Sequence, residues 1–260
     1  MVTSSVFYIP SAFAAGGDLD PSFGGDGIVT TRTDIEHTYQ FVRSVALQSD
    51  GKIVVAGYSE IFGNGYDFAI VRYNSDGTLD TNFGTGGIVT TDLGGSDLAL
   101  SMVLQGDEKI VVAGYSNFSG NYDFAVVQYN SDGTLDTNFG TGGIVATDFG
   151  NSNSFDYAIS IALQSDGKIV AAGNTDISGS NDYAVVRYNA DGTPDTSFSG
   201  DGKVTTDFGT SNDIASSMAL QSNGKIVVAG YSNFPIIMIM QLYAITPMAR
   251  SIHPLVEMEK

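Results

Sequence analysis

The 260-residue sequence contains no cysteine and only two histidines. Without cysteine the chain cannot form a disulfide, a zinc–thiolate site or a cysteine nucleophile. His37 lies in a polar segment beside Glu36, and His253 lies in the last ten residues. Neither has an evident partner group, so the sequence does not supply a Ser-His-Asp triad. We therefore predict no catalytic residue and interpret the chain as a protein that is not an enzyme.

Basic residues are also scarce, because 11 Lys and Arg stand against 29 Asp and Glu, for a formal net charge of −18. Nucleic-acid binding depends on cations that neutralise phosphates, so nucleic acid is excluded as a partner, and an anionic membrane surface is disfavoured for the same reason. No run of about 20 apolar residues is present for insertion into a membrane. We interpret the acidic surface as one that keeps a β-rich protein in solution, with cation binding as the alternative.

The sequence is organised as a repeat, of which Leu135–Gly173 is one copy. The anchoring phenylalanines of successive copies lie 56 to 60 residues apart, at Phe23, Phe83, Phe139 and Phe198. Each copy continues into a segment of the form LQ-x-D-G-K-I-V-V-A-G. A period of this length, kept along nearly the whole chain, predicts units that pack against their neighbours.

Each repeat contains four short β-prone runs separated by turn signals, and none keeps helical spacing. In the first full unit they are Val42–Gln48, Lys52–Tyr58, Phe68–Tyr73 and Gly87–Thr91, and Asp50-Gly51 forms the first hairpin turn. Four antiparallel strands repeated without helices are typical of a β-propeller blade. The fold class is therefore all-β: a β-propeller of four-stranded antiparallel blades, about four here, with the fourth irregular. A β-solenoid is the alternative.

The position of each strand in its blade follows from side-chain size. Strands rich in small residues, such as Ala99–Leu104, suit the crowded innermost position, and the GIVTT-type strand then lies outermost. Complete blades are predicted at 42–91, 98–147 and 156–206. A fourth blade begins at 214–231.

The two ends of the sequence depart from the repeat. The Ala12-Phe13-Ala14 pattern resembles a signal cleavage site, so residues 1–15 are interpreted as a possible remnant of a secretory signal and 16–234 as the repeat domain. Residues 235–260 lose the pattern. Methionine has a single codon, so the residue encoded there when the frame is shifted by one nucleotide can be deduced at four methionines of the tail. The shifted frame gives Asp, Ala and two Gly where the repeat expects them, so we predict an out-of-frame tail. Ile236–Tyr243 is expected to fill the third-strand position of the fourth blade, with Gly27–Thr31 as its fourth strand, and Met248–Lys260 to be poorly packed.

Three linked motifs, DxxFGxxGxV, LQxDGKIVVAG and YDFAVVRYNxDGTLD, give the chain a family resemblance. It resembles the delta-60 repeat family of bacterial proteins over roughly Leu19–Tyr231, where the motifs recur three to four times. This resemblance implies a propeller-like protein that is secreted or lies in the cell envelope. The family carries little functional information.

A candidate calcium motif, N-x-D-G-x-x-D, occurs in three copies. Oxygen ligands in a glycine-containing turn suit calcium. The spacing falls short of a D-x-D-x-D-G loop, and turn formation explains Asn, Asp and Gly by itself, so the turn interpretation is favoured. The candidate metal ligands are Asp76, Asp80, Asp132, Asp136, Asp191 and Asp195.

Loops that vary between copies, such as Ser116–Tyr122, suggest the function. Symmetric cores with variable loops suit the recognition of a protein or a glycan. We expect a monomeric, non-enzymatic binding or scaffold module that is extracellular or in the cell envelope, and no cofactor other than calcium. The alternatives are a carbohydrate-active hydrolase or lyase that uses Asp or Glu at the propeller channel, and a calcium-dependent adhesion module.

Overall fold

A computed structural model of the chain describes residues 17–32, 37–61, 65–118, 120–150, 154–209, 212–233, 238–245 and 253–254. Within these ranges the protein consists of strands and turns, arranged as four antiparallel four-stranded sheets. No helix in these ranges could cross a membrane. The predicted all-β fold of four-stranded blades is confirmed.

The strands follow one another in sequence order within each blade. The first blade contains β1 (His37–Leu47), β2 (Ile53–Ile61), β3 (Gly65–Tyr73) and β4 (Ile88–Thr91). The second contains β5 (Asp97–Leu104), β6 (Ile110–Ser116), β7 (Asp123–Tyr129) and β8 (Ile144–Thr147). The third contains β9 (Asp156–Leu163), β10 (Ile169–Thr175), β11 (Asp182–Tyr188) and β12 (Lys203–Thr206). The fourth contains β13 (Asp213–Leu220), β14 (Ile226–Asn233), β15 (Met238–Ile245) and β16 (His253–Pro254).

The first hairpin of each blade turns through a residue with positive φ. Gly51 has φ 85°, and its N–H donates to the Gln48 carbonyl at 3.0 Å. In the second blade the equivalent residue is Glu108, which has φ 65°. The turn geometry is therefore kept even where the sequence departs from Asp-Gly, with the steric cost that a side chain adds in this region.

A β-bulge shapes the innermost strand of each blade. In the second blade the register of β5 against β6 shifts between Ala99 and Ser101. A Cβ atom on Gly114, which lies opposite this shift, would stand 1.8 Å from the Leu98 carbonyl oxygen. Glycine is required here because the bulged strand approaches the backbone of its neighbour so closely.

The hydrophobic core lies between blades rather than within them. Three clusters of buried side chains join the first blade to the second, the second to the third and the third to the fourth. Phe83, Phe139 and Phe198 are fully buried in these clusters. Inner strands β1, β5, β9 and β13 contact one another in turn, which confirms their predicted innermost position.

The blades do not close into a ring. In the described part of the chain, the strands of the first and fourth blades do not pack together. Val42 and Val45 on β1 are 70% and 65% exposed, whereas the equivalent Ala99 and Met102 on β5 are 1% and 8% exposed. Each later blade packs this face against the preceding blade. On the first blade the same face is exposed to solvent.

The prediction that Gly27–Thr31 completes the fourth blade is wrong. Strand β15 occupies the third position as expected, but the fourth strand is β16. The segment that includes Gly27–Thr31 lies against the first blade, where the Gly24 N–H donates to the Asp76 carbonyl at 2.8 Å. It follows the same path as the links between later blades, in which Gly84 donates to Asp132 at 2.8 Å. Met248–Lys260 lies outside the described residues apart from β16.

A buried hydroxyl pair links the first two blades and gives a first prediction. The Tyr129 hydroxyl donates to Thr91 Oγ1 at 2.8 Å, and Tyr129 is fully buried. We expect Tyr129→Phe to lower the free energy of unfolding by about 1–3 kcal/mol, because Thr91 loses its partner. Urea denaturation measures the loss. The double variant Tyr129→Phe/Thr91→Val removes both polar groups, so it should be less destabilised than the single variant; equal or greater destabilisation would contradict this.

Candidate functional site

Three of the six predicted metal ligands, the first aspartate of each motif copy, accept hydrogen bonds within their own turns. Asp76 Oδ1 accepts hydrogen bonds from the Thr78 N–H at 3.0 Å and from Thr78 Oγ1 at 2.7 Å. Asp132 and Asp191 make the same contacts with Thr134 and Thr193. The hydroxyl of the threonine, and then its N–H, hold the pKa of each aspartate below its ordinary value.

The other three predicted ligands form ion pairs. Asp80 Oδ2 lies 2.9 Å from Arg72 Nε, and Asp195 Oδ2 lies 2.7 Å from Arg187 Nε. Asp136 Oδ2 pairs instead with Lys109 Nζ at 2.9 Å. Among the described residues, none of the six predicted ligands belongs to a group of three carboxylates near enough to share one cation. Calcium binding at these six residues stays a prediction, and their contacts fit the turn interpretation.

The structure brings together three other groups of aspartates, one at each junction between blades. Each group, which we call a junction triad, has one carboxylate from the start of the third strand, one from the loop after the fourth strand, and one from the start of the next blade. In every triad, one oxygen atom from each residue lies within 4.8 Å of those from the other two. The triads are Asp67/Asp92/Asp97, Asp123/Asp148/Asp156 and Asp182/Asp207/Asp213.

Two carboxylates of each triad are buried and the third is exposed. In the second triad, Asp156 is 0% exposed and its Oδ2 accepts the Phe149 N–H at 3.0 Å. Burial, and then the nearby charges of Asp123 and Asp148, raise the pKa of Asp156 to about 6. Burial likewise raises the pKa of Asp97 and Asp182. These acids therefore lie where an ionised carboxylate is destabilised unless a cation compensates it.

The aspartates of the junction triads were not among the residues predicted from the sequence, although they recur. Each sits in a repeated context: YD or DY at the third strand, TTD or ATD after the fourth, and an aspartate at the start of the inner strand. The triad combines positions from two blades, about 30 residues apart in the chain. A search for closely spaced ligands in one loop cannot find such a site.

Aromatic side chains form a second feature close to the triads. Tyr115 and Tyr157 have ring centroids 4.7 Å apart, Tyr115 and Tyr122 5.2 Å, and Tyr122 and Phe155 6.2 Å. In the first blade, the Tyr58 ring lies 4.9 Å from Phe41 and 5.3 Å from Tyr66. We call these seven residues the aromatic strip: Phe41, Tyr58, Tyr66, Tyr115, Tyr122, Phe155 and Tyr157.

The ring–ring contacts of the aromatic strip fall into two groups, one in the first blade and one where the second blade meets the third, and Tyr115 belongs to the second group. Burial raises the pKa of Tyr115 to about 12, and the neighbouring phenols of Tyr157 and Tyr58 also raise it, so the hydroxyl remains a neutral donor at physiological pH. Arg43 donates to the Tyr58 hydroxyl at 2.7 Å. Phe41 and Phe155 are 39% and 41% exposed. The strip is therefore ordered by ring–ring contacts and still reaches solvent.

The aromatic strip is not a property of every repeat. Tyr58 and Tyr115 occupy equivalent positions on the second strands of the first and second blades. The third blade has Asn174 at this position. Tyr66 and Tyr122 likewise correspond to Asn181. The strip thus ends at the third blade, on a scaffold that otherwise repeats.

Comparison with known proteins identifies the repeat. The family described as "Domain of unknown function (DUF5122) beta-propeller" matches residues 48–83, 105–139, 164–198 and 221–234. Each full match spans the turn of the first hairpin, the second and third strands and the anchoring phenylalanine. No curated protein sequence matches the chain.

Comparison with solved structures finds partial similarities at low identity. A protein of unknown function from Bacteroides caccae is 13% identical, with 82% of this chain and 59% of that chain covered and a TM-score of 0.47. A streptogramin B lyase is 13% identical, with coverages of 82% and 54% and a TM-score of 0.44. An endo-1,4-beta-xylanase from Bacteroides thetaiotaomicron is 12% identical, with coverages of 87% and 76% and a TM-score of 0.44. The chain thus spans less than two thirds of the first two proteins, and these likenesses do not bear on activity. The repeats of this chain are β-propeller repeats.

Proposed function

We propose that the chain is a non-enzymatic binding module of the bacterial cell surface or exterior, and that the aromatic strip is its recognition surface. The observation that carries the proposal is the clustering of aromatic rings in the first blade and where the second blade meets the third. Tyr66, Tyr122 and Phe155 lie in or beside the loops that vary between repeats. Tyrosine supplies a large rigid contact surface with a polar hydroxyl at its edge, which is why it is common at recognition sites.

The chemistry of the aromatic strip favours a neutral glycan. Tyrosine faces can pack against the apolar C–H faces of sugar rings, and their hydroxyls can hydrogen-bond to sugar hydroxyls. The formal net charge of −18 repels polyanions, so acidic polysaccharides are disfavoured. Arg43 lies 5.4 Å from the centre of the Tyr58 ring and adds hydrogen-bond donors at one end of the strip.

A hydrolase would require two carboxylates in different environments facing one cavity. A cavity of about 650 Å³ lies between the third and fourth blades. Its lining contains one carboxylate, Asp166, which pairs with Lys168 at 3.1 Å. This cavity therefore does not supply the pair of carboxylates that hydrolysis requires.

Affinity electrophoresis tests the proposal with soluble xyloglucan, galactomannan and arabinoxylan in the gel. We expect the full chain to be retarded by at least one of these neutral polysaccharides and not by carboxymethyl cellulose. Tyr122→Ala/Tyr157→Ala should weaken the interaction by about tenfold or more, because central aromatic residues supply most of the binding energy. Phe118→Ala is the matched control, because Phe118 is 43% exposed and lies outside the strip.

Three results would overturn the proposal. They are the absence of retardation by all three neutral polysaccharides, equal weakening by the Phe118 control, and release of reducing ends from any of the polysaccharides. The last would establish a hydrolase or lyase instead. Circular dichroism of each variant separates loss of binding from loss of folding.

A further inference from the structure

We propose that each of the three junction triads is a calcium site that ties two neighbouring blades together. This inference goes beyond the proposed recognition surface and does not depend on it. It rests on the convergence of three carboxylates at each junction, on a buried oxygen atom of Asp182 that lacks a hydrogen-bond partner, and on the repetition of the arrangement.

The spacing of the oxygen atoms suits one shared ion. Calcium binds oxygen ligands at about 2.3–2.6 Å, so two ligands of one ion lie at most about 5 Å apart. One oxygen from each aspartate of a triad lies within 4.8 Å of the other two. Three carboxylates can therefore reach the same calcium, and its remaining positions can be filled by water because the third carboxylate is exposed.

The second observation is the state of the buried oxygen atoms. Asp182 Oδ1 is buried and accepts no hydrogen bond. Asp156 and Asp182 are 0% and 3% exposed, and the Oδ2 atom of each is already engaged, by the Phe149 N–H and by Ser178 Oγ respectively. A buried carboxylate oxygen without a partner is costly, and a bound cation removes that cost.

The other buried positions hold the carboxylates in place. Asp97 Oδ2 accepts the Leu93 N–H at 2.6 Å, and Asp213 Oδ2 accepts the Phe208 N–H at 2.8 Å. Ser116 and Ser232 donate to the Oδ1 atoms of Asp97 and Asp213. Hydrogen bonds that fix the ligands before the ion arrives lower the entropic cost of binding.

The distribution of the triads along the chain matches a role at junctions. A triad occurs at each of the three junctions between blades. On β1, Gln40 occupies the position that Asp97 has on β5. In the described part of the chain, no blade packs in front of β1. A calcium ion at a triad would bridge the third strand of one blade to the inner strand of the next, which adds to the hydrophobic contact between them.

Calcium titration of the full, chelator-treated chain tests this inference. We expect isothermal titration calorimetry to show three sites, and the melting temperature to rise by about 5–10 °C for each occupied site, or about 15–30 °C for all three, at a calcium concentration 100 times the dissociation constant. Asp156→Asn keeps the side-chain shape but removes one charged ligand. This variant should bind two calcium ions instead of three and show a smaller rise, whereas without calcium it should be at least as stable as wild type, because a buried charge is gone.

Asp132→Asn is the matched control, because Asp132 lies in a turn outside the triads and is one of the residues predicted from the sequence motif. It should still bind three calcium ions. The inference fails if calcium up to about 10 mM, roughly ten times the weakest dissociation constant of extracellular sites, neither binds nor raises the melting temperature. It also fails if Asp156→Asn leaves the stoichiometry unchanged, or if Asp132→Asn loses a site as well. The polysaccharide experiment above is done with calcium present, so failure of either proposal can be distinguished.

Discussion

Replacing Phe139 with alanine is expected to lower the free energy of unfolding by about 3–5 kcal/mol. Phe139 is 0% exposed and belongs to the cluster that joins the second and third blades. The loss combines the transfer of a large apolar side chain to water with the cavity left behind. That cavity cannot collapse easily, because the backbone around it is fixed: the Phe139 N–H donates to the Asp136 carbonyl at 2.9 Å, and the Gly143 N–H donates to the Phe139 carbonyl at 2.9 Å.

The repeat supplies an internal control for Phe139. Phe23 occupies the same motif position but precedes the first blade and is only half-buried. Phe23→Ala should therefore cost clearly less than Phe139→Ala. Guanidinium denaturation followed by circular dichroism gives both values. Equal losses for the two variants would show that the phenylalanine acts within its own turn and does not join blades.

The sequence was sufficient to predict the blade and the order of its strands. Three features of the repeat predict the same four-stranded blade: periodic Asp-Gly turns, small residues in the innermost strand and the buried phenylalanine. The observed strand boundaries differ from the predicted ones by a few residues. Strand β1, for example, begins at His37 rather than near Val42. The failure of the ring to close could not be predicted, because closure depends on contacts between the first and last blades that no local pattern encodes.

The candidate sites were less predictable than the fold. The Asp76 and Asp132 motif suggested calcium because its oxygen-bearing residues are close in sequence, yet those oxygen atoms accept hydrogen bonds from their own turns. The junction triads and the aromatic strip combine residues from neighbouring blades. Their convergence depends on the angle and register at which blades pack. A sequence shows which positions repeat, but it shows which of them meet only once the packing is known.

The second large effect is expected at the buried ion pair of the third blade. Arg187 and Asp195 have side chains 6% and 7% exposed, with Nε and Oδ2 2.7 Å apart. The Arg187 guanidinium also lies 4.6 Å from the centre of the Phe198 ring. Arg187→Ala removes the nearer of two cationic partners of a buried carboxylate and leaves Lys168 Nζ at 3.9 Å, and we expect it to lower the free energy of unfolding by about 3 kcal/mol.

The pH dependence of this loss follows from the pKa of Asp195. Burial raises that pKa, but the hydroxyl and N–H of Ser197, together with Arg187, hold it below the ordinary value of 3.8. A lowered pKa in the folded state means that the stabilisation is complete above the pKa of the unfolded chain and declines as pH falls through the folded value. The difference between wild type and Arg187→Ala should therefore be constant near neutral pH and shrink below about pH 4.

A double variant shows whether the loss comes from the unpaired charge. Arg187→Ala/Asp195→Asn removes the charge but keeps an oxygen that can accept the Ser197 N–H, which donates to Asp195 Oδ1 at 3.0 Å. We expect the double variant to recover part of the stability lost in Arg187→Ala. The second blade has Gln128 at the arginine position and pairs Asp136 with Lys109 at 2.9 Å, so a lysine can take the place of the arginine as the partner of this aspartate. If the double variant is less stable than Arg187→Ala, the arginine stabilises the blade mainly through its packing on Phe198 and not through its charge.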